Sequence, residues 1–277
     1  MREDWQPLDP PAVVSPVRFD IKQVFRNGWS HAGRVRGWAG GTIFGEFADP
    51  AARQAWTAAL RRATLDMPTG DALDMGTGPG TISQLWAEIG WKTSGLDFSP
   101  TMLATCAAAA RDRGLTIDLN EGDVESPQVT FAARKFAVIS SRLVIFTLPR
   151  PGLALRRWVQ MLRTGGRMVL MGEDHGDRQH KPSEECKKEK KERPPGAWHA
   201  DEEYKKALGQ LDFMHHDSKS LRVVMEAAGL DHVKYVPMND VVAARQAIVE
   251  RSPTFRVFRS QPFMLVGEKS SDVPGGR

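Results

Sequence analysis

The chain has 277 residues, 41% of them hydrophobic and 26% charged, which is enough apolar material for one large domain whose core needs no disulfides or metals. Its two cysteines, Cys106 and Cys186, exclude an oxidised framework and point to a reducing, cytoplasmic setting. The formal charge of +4 comes from 38 basic against 34 acidic residues, too small an excess to require a nucleic-acid partner.

The chain opens Met1-Arg2-Glu3-Asp4 with no apolar signal core behind it. No apolar run reaches the ~18 residues of a membrane span. Residues 1–48 are rich in Pro, Gly and Trp (Trp5, Pro7, Pro10, Pro11, Pro16, Trp29, Trp38) and read as a flap or short helices. Five basic residues between Arg18 and Arg36 face the single acid Asp20. A helix is expected from Pro50 to about Leu65, with Asp49 as N-cap and Pro50 in the first turn.

After Pro68 strands alternate with helices, which signals an α/β domain with a largely parallel sheet, here bounded at 49–269. The expected order is strand Ala72–Met75, helix Ile82–Ile89, strand Thr93–Leu96, helix Pro100–Arg113 and strand Thr116–Asn120. Strand Phe136–Ser140, helix Leu153–Leu162, a Thr164-Gly165-Gly166 turn and strand Arg167–Met171 follow. Composition shifts at His175. Residues 176–219 form a polar insertion, and the run Lys181–Arg193 holds six basic and four acidic residues. It reads as an exposed, mobile segment or as a lid over a pocket. Helix Ser220–Ala228, strand Val233–Val236, helix Val241–Arg251 and strand Pro262–Gly267 close the domain, and 270–277 reads as a disordered tail.

The stretch Leu73-Asp74-Met75-Gly76-Thr77-Gly78-Pro79-Gly80 carries the chemistry. An apolar strand runs into three alternate glycines and then an amphipathic helix. Glycines let the backbone turn tightly and approach a ligand closely, and a helix N-terminus offers N–H groups to a polar or anionic group. The dinucleotide fingerprint wants its third glycine at position 81, which is Thr81; here it falls one residue early, at Gly80.

The pattern Asp-x-Gly-x-Gly-x-Gly resembles motif I of the class I S-adenosylmethionine-dependent methyltransferases. Other matches stand at fitting distances. Asp97 in Gly95-Leu96-Asp97-Phe98-Ser99-Pro100 ends the second strand, where a carboxylate accepts both ribose hydroxyls. Glu121-Gly122-Asp123-Val124 resembles the family's adenine-contacting acid with its apolar neighbour. Lys135-Phe136-Ala137-Val138-Ile139-Ser140-Ser141-Arg142 is similar to the fourth strand, and Leu162-Arg163-Thr164-Gly165-Gly166-Arg167 to the turn into strand five, with Thr164 in place of proline. The resemblance covers about residues 42–175 and is closest to the small-molecule branch with the ubiquinone and menaquinone methyltransferases. It implies a Rossmann-like, doubly wound, mostly parallel seven-stranded sheet with an antiparallel C-terminal strand. It implies S-adenosyl-L-methionine as cofactor, held by Asp74, Gly76, Thr77, Gly78, Gly80, Asp97, Phe98, Met102, Asp123, Val124 and Ser141.

A sulfonium methyl is already activated, so the implied enzyme aligns a nucleophile behind it and excludes water. Acceptors in this family sit above the ends of strands four and five, matched here by Arg142 and Glu173-Asp174-His175. His175 is the candidate base, against the plainer reading of a solvated loop histidine. Arg142 is a candidate for an anionic acceptor group or for a salt bridge. His31 and Trp29 in the flap, with Trp38, Phe44 and Phe47, are candidates for closing over the ligands or for simple packing. No Cys-x-x-Cys or His-x-x-x-His pair marks a metal site. Small-molecule methyl transfer is the leading expectation. A nucleic-acid methyltransferase on the same fold lacks its Asn/Asp-Pro-Pro-Tyr-type motif, since Ser140-Ser141-Arg142-Leu143 stands there. A non-catalytic cofactor binder is the remaining alternative. The acceptor and the oligomeric state are not legible.

Overall fold

A computed structural model describes residues 16–40, 46–174, 198–214, 216–251 and 260–270. Strands β1 (Asp71–Met75), β2 (Lys92–Asp97), β3 (Ile117–Glu121), β4 (Phe136–Arg142), β5 (Leu162–Asp174), β6 (Asp231–Tyr235) and β7 (Gln261–Glu268) form one sheet in the order β3-β2-β1-β4-β5-β7-β6. The pairs β1–β2, β2–β3, β1–β4 and β4–β5 are parallel; β7 runs antiparallel to both β5 and β6. The architecture is the doubly wound one the sequence implied. Ala72 to Met75 and Phe136 to Ser141 are buried without a break, as expected for central parallel strands covered on both faces.

Helices α1 (Pro16–Ser30) and α2 (Ala32–Gly40) precede α3 (Pro50–Ala63), α4 (Thr81–Glu88) and α5 (Pro100–Asp112). The short α6 (Gln128–Phe131), then α7 (Pro151–Met161), α8 (Glu202–Leu208), α9 (Ser218–Ala227) and α10 (Asn239–Arg251) complete the described helices. One face of the sheet packs on Trp158 of α7 and Met225 of α9. The other packs on Trp56 of α3, Trp86 of α4 and Val241 of α10. Trp56, Trp86 and Trp158 are wholly buried, and an aromatic side chain of that size brings about 150–250 Å² into the core. Asp49 caps α3 by accepting from the Ala52 N–H at 3.0 Å.

Two expectations need correction. The stretch Thr164 to Gly166 is not a free turn but an irregularity inside β5: Leu162 already pairs with Phe136, and the register then shifts before Arg167 pairs with Val138. Gly165 takes φ +73 there, and its N–H donates to the Lys269 carbonyl at 2.8 Å. The last part of the polar segment is not wholly exposed: α8 keeps its charged face in solvent but buries Tyr204 and Ala207 against Ile21 and Phe25 of α1. The N-terminal stretch, read as a flap or short helices, holds two helices, and the apolar face of the first packs on that contact. Of the segment 176–219, residues 176–197 and 215 lie outside the described residues, as do Phe44, His175 and the tail 271–277.

Candidate active site

Strand order reverses between β1 and β4, and a pocket opens there at the carboxyl ends of the strands, the place where open α/β sheets bind ligands. After β1 the backbone turns through three glycines in left-handed conformation: Gly76 at φ +67, Gly78 at +54 and Gly80 at +89. A Cβ on Gly76 would stand 2.4 Å from Val144 Cγ2, and one on Gly80 2.3 Å from Cys106 Sγ. On Gly78 it would meet nothing within 4 Å. Gly76 and Gly80 are thus demanded by the fold, whereas Gly78 leaves bare backbone facing the pocket. The Gly76 and Thr77 N–H groups clip the turn to the Leu96 carbonyl at 2.8 and 3.0 Å.

Two buried acids brace this turn. Asp74 accepts from Ser140 Oγ at 2.7 Å, and Ser140 in turn accepts from the Trp86 indole at 3.0 Å. Burial pushes the Asp74 carboxyl up to about 7, with the Ser140 and Thr77 hydroxyls pulling it back. Asp97 Oδ2 accepts from the Gly78 N–H at 2.8 Å, and Oδ1 from the Ser99 N–H at 2.9 Å. Burial raises it to about 6 against these backbone donors. Each carboxylate oxygen has more than one lone-pair site, so each can still accept a donor from a ligand. Ser99 also caps α5 through the Met102 N–H at 3.2 Å and donates to the Trp29 carbonyl at 3.2 Å, which ties α1 to the rim.

After β3, Asp123 Oδ1 accepts from the Glu125 N–H at 2.8 Å and Oδ2 from Lys22 Nζ at 2.6 Å. Val124 is held by its carbonyl, which accepts from the Trp158 indole at 2.7 Å. On the opposite wall, β4 runs into Arg142, Leu143 and Val144. Leu143 takes φ +60, a strained value for a residue with a side chain, and its N–H bonds the Met171 carbonyl at 3.0 Å. The Arg142 guanidinium lies about equally far from the Phe47 and Trp56 rings, at 5.1 and 5.0 Å. It is 3.7 Å from Glu173, whose two oxygens take hydrogen bonds of 2.7 and 2.9 Å from Arg245. Arg245 reaches Glu46 at 2.9 Å. Burial lowers the Arg142 pKa, opposed by the charges of Glu46 and Glu173.

Asp74, Gly76, Thr77, Gly78, Asp97, Phe98, Met102, Asp123 and Val124 all line this one pocket, together with Trp29 and Arg142. Three other sequence candidates stand off its wall. Gly80 faces Cys106. Ser141 turns its hydroxyl to the Met75 carbonyl at 2.8 Å and so braces the start of the turn. His31 is exposed, with Nδ1 accepting from the Gly33 N–H at 3.1 Å. The sequence reading missed Lys22, Phe25 and Glu125. Lys22, Phe25 and Trp29 stand at i, i+3 and i+7 of one helix, a spacing that puts them on one face, and this was the available signal. Among the described residues no group of three or more His, Cys, Asp or Glu is placed to hold a metal ion, and no helix is long and apolar enough to cross a membrane.

Residues 73–170 match the family model described as a methyltransferase domain. The ubiquinone biosynthesis O-methyltransferase of Caulobacter vibrioides is 31% identical over 98 residues, which is 35% of this chain and 38% of that protein. The match therefore spans well under half of the relative. Likeness of fold extends further. Phosphoethanolamine N-methyltransferase 2 of Haemonchus contortus, solved with phosphomonomethylethanolamine and S-adenosylhomocysteine, superposes with a TM-score of 0.58 at 15% identity, covering 95% of this chain and 62% of that one. Magnesium protoporphyrin IX methyltransferase of Synechocystis, solved with bound S-adenosylhomocysteine, gives 0.55 at 14% identity over 90% and 100%. The match to a methyltransferase domain is confined to residues 73–170, and the fold is the one these solved methyltransferases share. The part that matches in sequence is similar to the ubiquinone O-methyltransferases.

Proposed function

We propose that the chain transfers a methyl group from S-adenosylmethionine to a small-molecule acceptor. The carrying observation is the bare backbone of Gly78 on the same pocket wall as two carboxylates, Asp97 and Asp123, each at or just beyond the end of a neighbouring strand. These residues fit the cofactor. Asp97 would hold the ribose hydroxyls, Asp123 the adenine amino group, and the turn from Gly76 to Gly78 the methionyl end. When bound, S-adenosylmethionine supplies an electrophilic methyl group, so the protein's task is alignment and the exclusion of water. Trp29 and Phe25 of α1 give the pocket an apolar wall that keeps water out.

The acceptor enters against Leu143, Val144, Thr147 and Leu148, with Arg142 offering its positive charge to an acidic group. An apolar, acidic metabolite suits that wall. The solved proteins of like fold that are named above act on small molecules, which supports the same class here. A base is required only where the accepting atom keeps its proton at working pH, and His175 is retained as that candidate. The test is incubation of the purified chain with methyl-labelled S-adenosylmethionine and a panel of phenols, amines, aromatic acids and total RNA. Label in a small molecule with one equivalent of S-adenosylhomocysteine is expected. Label in RNA alone, or no transfer despite cofactor binding, contradicts the proposal.

A further inference from the structure

Helix α1 brings one cation, Lys22, to the pocket wall. Its ammonium donates to Asp123 at 2.6 Å and pairs with Glu125, whose side chain is fully buried. Glu125 is held independently by the Arg150 backbone N–H and guanidinium, so it is a fixed anchor and not a swinging surface carboxylate. An ammonium carries three donors and no acceptor. Two of Lys22's donors are engaged by Asp123 and Glu125, and the third is left for a ligand on the wall.

Nor is Lys22 needed merely to dock α1. One helical position per turn further on, Arg26 already pairs with Glu121 at the surface, with both side chains about half exposed. Arg26 is not on the pocket wall, whereas Lys22 is, with 28% of its side chain accessible. Lys22 also shares its helix face with Phe25 and Trp29, which line the same pocket.

A carboxylate beside an ammonium offers one acceptor next to one donor. The matching edge of adenine offers the reverse, an amino donor at N6 next to an acceptor at N1. We propose that Lys22 is a specificity-determining residue for the cofactor's base: it donates to ring nitrogen N1 while Asp123 accepts from the amino group. The inference rests on the adenosyl-cofactor reading given under Proposed function. It adds a residue from the N-terminal helix to the recognition of the base.

The test is a cycle of calorimetric Kd values for S-adenosylhomocysteine and its 1-deaza analogue, in which N1 is replaced by C–H. The two ligands are measured on the native chain, Lys22→Met and Arg26→Met. The native chain is expected to prefer the natural ligand by about tenfold or more. In Lys22→Met that preference collapses, because only the natural ligand weakens; Arg26→Met keeps it. Lys22→Gln, which retains a neutral donor, is expected to fall between and serves where the methionine variant does not fold. Equal weakening of both ligands in the Lys22 variants overturns the inference and leaves Lys22 as a helix latch. Failure of the native chain to bind either ligand would instead remove the cofactor reading itself.

Discussion

Asp74 and Asp97 are costly residues to keep charged. From an ordinary value of 3.8, burial lifts them to about 7 and about 6. A carboxyl whose pKa is higher folded than unfolded holds its proton more tightly in the folded state, so stability falls as pH rises between the two values. For Asp74 that window runs from about pH 4 to about 7. Asp74→Asn is therefore expected to melt at a higher temperature than the native chain at pH 8, with the gap closing toward pH 4. Thermal melts across that range check it, and no gain at pH 8 would count against a strained carboxylate. Asp97 works in the opposite sense for the ligand. Hydroxyl donors favour its charged form, so affinity for S-adenosylhomocysteine is expected to fall as pH drops through about 6. Asp97→Ala should cost about 1–3 kcal/mol of that affinity, the usual penalty of orphaning a buried polar partner. Calorimetry at several pH values reads both effects; a pH-independent affinity would contradict the assigned role.

The glycine turn separates binding from folding within a single loop. Gly78→Ala adds a methyl group to open space at φ +54, so its cost to the fold is the left-handed conformation alone, about 1–2 kcal/mol. The methyl group intrudes where the cofactor would lie, and binding is expected to be lost. Gly80→Ala adds the same strain plus a contact of 2.3 Å with Cys106 Sγ, and overpacking costs a further 1–3 kcal/mol or so. It is expected to unfold earlier in urea than Gly78→Ala. Equal midpoints would contradict this division. At this scale the sequence was most legible for β4, whose Phe136 to Ile139 form an unbroken apolar run, whereas β1 and the polar β2 were placed by the glycine turn and by Asp97 at their ends. It was poorly legible for α8. Five of the seven residues in Glu202–Leu208 are charged or aromatic, and the burial of Tyr204 follows from α1, far away in the chain. The β5 irregularity escaped for a related reason: Gly165-Gly166 signals a turn, and only pairing with neighbouring strands draws it into the sheet.

Across the whole molecule, the proposed acceptor side of the pocket depends on residues that no local pattern connects. Glu46, Arg142, Glu173 and Arg245 form a buried group of two acids and two bases. It joins the N-terminal segment, β4, β5 and α10, with 199 positions between Glu46 and Arg245. Sequence motifs located Arg142 but not what holds it, just as they located Asp123 but not Lys22, 101 positions away. The residues of the proposed cofactor side could be listed from sequence because they follow consecutive strands. The acceptor side was not, because its support comes from the chain's two ends. Removing one member of a buried charge group leaves the others uncompensated, so Arg245→Ala is expected to cost about 3–5 kcal/mol of stability in urea unfolding. A loss below about 1 kcal/mol would show that the group does not brace the pocket. The central claim is more direct, and titration calorimetry of the purified chain with S-adenosylhomocysteine tests it. The account predicts saturable binding at one site, weakened at least several-fold in Asp97→Ala; no heat of binding with this compound or with S-adenosylmethionine would contradict it.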